Sequence, residues 1–183
     1  MNVVQFGHND QKASANISIE EYSTNLENLA LEAKAAGGTP VRQSLIFCYR
    51  QQIFVSKLID LKILVTPISR RNFNSSGLVT EDLADQRTAT VAVAQSIGID
   101  YIDLNEASTK YLDAIGSADA ATYNRIPTDF THLNPTGSVV FGDMVSFLLT
   151  TTTEAGKQLS QYTRPNHEVV AAIERGAYIF PSS

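Results

Sequence analysis

The sequence predicts an α/β protein with a parallel sheet between two helical layers, a three-layer α/β/α arrangement. Short apolar runs at residues 3–6, at 39–41 together with 63–67, and at 101–104 read as strands. Stretches with apolar residues at helical spacing lie between them. The resulting β-α-β-α-β-α order calls for crossover connections, and so for parallel pairing with helices on both faces. Three strands close such a core poorly, so the sheet is expected to lack its first strands.

The bulk properties agree with one globular domain. The chain has 183 residues, 43% hydrophobic and 18% charged, enough for a real core. Its net charge of -5, with no basic stripe, argues against nucleic acid and anionic membrane as partners. A single cysteine, Cys48, excludes an intramolecular disulfide and a Cys-based zinc site. No apolar run of about 20 residues is present to span a membrane. No signal peptide precedes the first strand, since Met1 is followed at once by apolar residues without a basic segment. Such a start reads as an incomplete chain.

Val3-Val4-Gln5-Phe6 forms the first predicted strand, and Gly7-His8-Asn9-Asp10 a turn at its carboxyl end, with polar side chains aimed outward. In open α/β sheets, sites lie in the crevice beyond those ends. Ser18 and Glu21 have capping-box spacing. Tyr22, Leu26, Leu29, Ala30 and Ala33 make one apolar helical stripe, and Gly37-Gly38 ends the helix.

Thr39-Pro40-Val41 opens a strand that Ile63-Leu64-Val65-Thr66-Pro67 completes. Residues 42–62 belong to neither part. They hold the cysteine and four basic residues (Arg42, Arg50, Lys57, Lys62) against one acid, Asp60. Joining Val41 directly to Ile63 yields one strand of ordinary length. Residues 42–62 therefore read as an insertion, such as a retained intron; the other reading is a surface helix with Leu45, Ile46, Tyr49 and Ile53 facing inward.

The loop with Arg70-Arg71-Asn72-Phe73 follows a strand's carboxyl end, so it either lines the same crevice or is simply solvated. Thr80-Glu81-Asp82 starts a helix that runs to Gly98. After a third strand at Tyr101-Ile102-Asp103-Leu104, Asn105 caps a helix through Tyr111, Leu112 and Ile115 that Gly116 ends. Asn134-Pro135 is a strong helix start, with Val140, Phe141, Met144, Val145 and Leu148 as its packing face. Thr150 to Thr153 reads as a linker, and a last helix spans 166–175 with His167 at the surface. The expected organisation is a domain over 1–149, with the insertion at 42–62, and a C-terminal extension over 150–183.

Asp129-Phe130-Thr131-His132 sets an acid and a histidine three residues apart in a loop. With the Gly7–Asp10 turn it supplies two parts of one acyl-transfer site: a base with its orienter, and a donor for developing negative charge. Plainer readings are that Asp129 caps a turn and His132 is structural. By ligand type alone, His8, Asp10, Asp129 and His132 also suit a metal, though no metal is expected. Nothing around Ser14 suggests an activated nucleophile.

Gly7-His8-Asn9-Asp10 resembles the third signature block of the SGNH, or GDSL-type, hydrolases, and Asp129-Phe130-Thr131-His132 resembles their fifth. The wording of both is most similar to rhamnogalacturonan acetylesterases, over about residues 3–41 and 63–149. The resemblance implies a flavodoxin-like fold and a Ser-His-Asp mechanism without cofactor. His132 would be the general base and Asp129 would hold its imidazole in the right tautomer. Asn9 would donate to the oxyanion, a contribution of about 3–4 kcal/mol, on a turn that Gly7 lets bend tightly. The implied substrate is an acetylated pectic polysaccharide or a small ester, acted on by a secreted monomer. Asn16-Ile17-Ser18 and Asn74-Ser75-Ser76 match the N-glycosylation pattern, in keeping with secretion.

Two family features are missing: the Gly-Asp-Ser block with the nucleophile, and the second block's glycine. Losing a triad serine costs on the order of 10⁶ in turnover. The chain as written is therefore expected to be inactive. The alternative is a non-catalytic, degenerate hydrolase that binds a glycan or a protein partner.

Overall fold

A computed structural model of the chain describes residues 7–35, 41–43, 63–153, 159–160 and 162–181. Among the described residues, three short parallel strands form a sheet, in the order β1 (Val41–Gln43), β2 (Ile63–Val65) and β3 (Asp100–Ile102). The register sets Val41 against Ile63 and Ile63 against Asp100. The α-helices described in full are α1 (Ile19–Ala35), α2 (Ala84–Ser96), α3 (Leu104–Ala121), α4 (Pro135–Thr152) and α5 (His167–Glu174).

The central strand shows why the fold has three layers. Side chains alternate across a strand, and all three residues of β2 are buried. Leu64 packs with Tyr22 and Leu26 of α1 and with Ala89, Val93 and Ala94 of α2. Ile63 and Val65 belong to a second cluster with Tyr111 and Leu112 of α3, Phe141 and Met144 of α4, and Val169 of α5. The sheet thus lies between α1 with α2 on one side and α3, α4 and α5 on the other, an α/β/α arrangement as expected.

Several helices follow their sequence signals. The Ser18 hydroxyl accepts the N–H of Glu21 at 3.1 Å, and Tyr22, Leu26 and Ala30 are buried as the stripe requires. Asn134 caps α4 by accepting the Gly137 N–H at 2.8 Å, with Pro135 in the first turn. Val140, Phe141 and Met144 are buried, and Val145 and Leu148 pack beside them. Asn166 caps α5, and His167 is exposed.

Elsewhere the boundaries differ. Helix α2 begins at Ala84, because Asp82 is drawn into the preceding loop, where its carboxylate accepts from Arg70 and Asn72. Asp103, rather than Asn105, caps α3 by accepting the Glu106 N–H. Asn105 is instead buried, and donates to the Pro67 carbonyl at 2.8 Å. Gly116 breaks α3 without ending it: its φ of 76° kinks the chain, and helix resumes to Ala121. Thr150 to Thr152 are not a linker but the last turn of α4, their hydroxyls bonded back to carbonyls one turn earlier. The expected boundary after residue 149 therefore falls inside a helix.

Val41 and Ile63 are not joined end to end. They sit side by side on neighbouring parallel strands, which require a crossover between them. The strand expected at 3–6, the Gly37-Gly38 stop, and residues 44–62 of the expected insertion lie outside the described residues.

Candidate active site

The Gly7–Asp10 turn is held by its own residues. Gly7 has a φ of 123°, a conformation that favours glycine. Its N–H donates to the Asp10 carboxylate at 2.6 Å, and its carbonyl accepts the Gln11 N–H at 3.1 Å. Gly7 therefore contributes the shape of the turn, with its donor already engaged. Asn9 is exposed, and its carboxamide oxygen accepts from Lys12 Nζ at 2.7 Å. That bond leaves the carboxamide N–H groups without a partner among the described residues.

His8 departs from the expectation of an outward side chain. It is 6% exposed, and neither ring nitrogen has a partner within hydrogen-bonding geometry among the described residues. Burial, then the nearby positive charge of Arg70, lowers its pKa to about 3, so the ring is neutral at ordinary pH.

The Asp129–His132 loop leaves the core at Tyr123 and returns at Leu133. An antiparallel bridge between Asn124 and Leu133 pinches its base, and the Asn134 N–H donates to the Tyr123 carbonyl. Tyr123 is itself locked into the core by Tyr111, at 3.0 Å between hydroxyls, and by the ring of Phe141 edge-on at 5.8 Å. The loop thus stands on a rigid base.

Within the loop, His132 Nδ1 lies 2.8 Å from one Asp129 oxygen and 3.1 Å from the other. A carboxylate only accepts, so Nδ1 carries the proton in this pair. The backbone N–H groups of Thr131 and His132 donate to the same carboxylate at 3.1 and 2.9 Å. Partial burial pushes the Asp129 pKa up, but these bonds outweigh it and bring the carboxyl below its usual value. The His132 side chain is 51% exposed and that of Asp129 20%. His132 Nε2 has no partner among the described residues.

Two adjacent arginines tie turn and loop together. Arg70 Nη2 donates to the His8 carbonyl at 3.2 Å, and Nη1 to Gln11 and Asp82 at 2.6 and 3.1 Å. Arg71 faces the other way. Its backbone N–H donates to the Phe130 carbonyl, its Nε to Asn124 and its Nη2 to the His132 carbonyl. His132 also lies within electrostatic reach of His8. Turn and dyad therefore occupy one end of the molecule. Sequence reasoning left this loop open between crevice and solvent; Arg71, at 2% exposed, is buried. Asn124 was missed altogether, and nothing in its local sequence marks it.

Two concavities lie elsewhere. A groove of about 330 Å³ runs between α2 and α3, lined by Arg87, Glu106, Lys110 and Asp113 among others. Another, of about 440 Å³, lies along α5 beside Arg175 and Tyr178. Neither includes Asn9 or His132. No group of three or more His, Cys, Asp or Glu among the described residues is placed to hold a metal ion. No helix among them is long and apolar enough to cross a membrane. Both Asn16 and Asn74, of the two glycosylation patterns, are exposed.

No family model matches the chain, and no curated protein matches it. Among solved structures, the YxiM protein of Bacillus subtilis is similar, with 22% sequence identity and a TM-score of 0.65. The match covers 84% of this chain and 37% of that one, so the chain spans little more than a third of that protein's length. At that identity the likeness concerns the fold alone.

Proposed function

We propose that the dyad and the turn are the base side and the oxyanion side of an SGNH-type esterase site that removes acetyl groups from a pectic polysaccharide. The observation that carries this reading is the Asp129–His132 pair: Nδ1 bonded to the carboxylate at 2.8 Å, with Nε2 unengaged on a half-exposed ring. In the proposed mechanism Nε2 takes the proton from a serine hydroxyl as the oxygen attacks the ester carbonyl. Ionised Asp129 stabilises the imidazolium that forms. The Asn9 carboxamide donates to the oxyanion of the tetrahedral intermediate. His132 then gives its proton to the departing sugar oxygen.

The 183 residues contain no Gly-Asp-Ser. The chain by itself is therefore expected to release p-nitrophenol from p-nitrophenyl acetate at background rate. The same chain joined to a preceding strand with Gly-Asp-Ser is expected to deacetylate rhamnogalacturonan. In that form His132→Ala abolishes turnover, and Asn9→Ala lowers kcat by about 10²–10³. Failure of the joined form to hydrolyse any acetyl ester, or indifference to His132→Ala, contradicts the reading. A second reading, a non-catalytic glycan binder, predicts saccharide binding without release of acetate from the joined form.

A further inference from the structure

We propose that Arg71 is a positioning residue for the Asp129–His132 dyad, and that Arg70 is its counterpart for the Gly7–Asp10 turn. The purpose assigned to this pair rests on the esterase reading; its geometry does not.

The placement of Arg71 is unusual in its cost. Taking a full charge out of water is unfavourable, and an apolar side chain of similar length would fill the same space without that cost. Burial indeed lowers the Arg71 pKa to about 10, with Asp129 the negative charge that opposes the shift. What an apolar replacement lacks is the planar fork of donors.

The Arg71 donors that have partners among the described residues all land on one loop, while Nη1 is buried without one. Nε reaches the Asn124 carboxamide at 2.6 Å, where the loop begins. Nη2 reaches the His132 carbonyl at 2.8 Å, and the backbone N–H reaches that of Phe130 at 3.0 Å, where it ends. With the His132 backbone fixed, the ring has only its own torsions to settle, and the Asp129 carboxylate settles those. Asp129 is in turn oriented by the N–H groups of Thr131 and His132. Arg71 therefore acts on the imidazole through the backbone that carries it.

Arg70, its neighbour in sequence, leaves the chain in the opposite direction and holds the His8 carbonyl and Gln11. Two successive residues thus set the separation between the turn that bears Asn9 and the loop that bears His132. One stretch of backbone is the shared reference for both.

The test is the tautomer of His132, read from its ring ¹⁵N shifts above the pH of its titration. The wild-type chain is expected to hold the Nδ1–H form. Arg71→Met is expected to give a mixture of tautomers while still melting cooperatively. Arg71→Lys keeps the charge without the fork and is expected to fall between the two; if Arg71→Met does not fold, this variant decides. Arg70→Met is expected to leave the tautomer alone and to shift the amide resonances of residues 7–11. Leu83→Ala, at a buried site with no hydrogen bond to the loop among the described residues, controls for general destabilisation and should lower Tm without changing the tautomer. A folded Arg71→Met or Arg71→Lys with the wild-type tautomer overturns the proposal, as does an equal change in Leu83→Ala. The measurement needs no ester, so a failure to find hydrolysis counts against the esterase reading and not against this one.

Discussion

His8 is the residue whose surroundings make the firmest solution prediction. The folded ring stays neutral down to about pH 3, whereas an unfolded histidine takes a proton near its ordinary 6.5. Across that window the unfolded chain binds the extra proton, so stability falls as pH falls. The slope approaches about 1.4 kcal/mol per pH unit for one proton. Urea melts between pH 4 and pH 7 should show this slope in the wild type and lose it in His8→Leu. Equal slopes in the two proteins would place His8 in contact with water. Asp129 and His132 were legible in sequence because one loop carries both at a spacing that lets the side chains meet. Arg71 was not, since arginine is rarely buried and nothing beside it announces the carbonyls it will reach. The inward turn of His8 was hidden for the same reason: Arg70, which holds its carbonyl, is 62 residues away.

Among the elements, α4 was readable at its start because cap and proline are adjacent in sequence and act locally. The start of α2 was not readable. Glu81 and Asp82 look like acids of a first turn, but the Asp82 carboxylate is spent on Arg70 and Asn72, a tertiary demand. Asp103 took the cap of α3 for a comparable reason. Its carboxylate also holds Arg87 at 2.6 Å and Thr66 at 2.9 Å, which fixes it at the end of β3. The first turn of α4 carries its own prediction. A Cβ at Gly137 would lie 2.9 Å from both the Cβ and the backbone oxygen of Tyr123 and 3.0 Å from Leu133. Alanine in a helix normally gains about 1 kcal/mol over glycine. Overpacking against backbone that cannot yield costs about 1–3 kcal/mol. Gly137→Ala is therefore expected to lower Tm by a few degrees and to disturb the loop that Tyr123 and Leu133 anchor. A rise in Tm would show that α4 and the loop base are free to separate.

For the molecule as a whole, the layered α/β/α plan was legible because alternating runs of two periodicities admit few other arrangements. The neighbours of β2 were not. Residues 41 and 63 were read as two ends of one strand from the continuity of apolar residues, while the chain places them opposite each other in register. Pairing between strands is a long-range choice that local composition does not record. What the fold does for the site is bring a turn near residue 8 and a loop near residue 130 to the same end, joined through Arg70 and Arg71. That convergence is the claim on which the functional reading depends. It is tested most directly by a nitroxide on Asn9→Cys, with Cys48→Ser leaving no other thiol for the label. Strong relaxation broadening of the His132 ring and of the Asp129 and His132 amides is the predicted result. Sharp signals there, with broadening confined to residues near the turn, would contradict it.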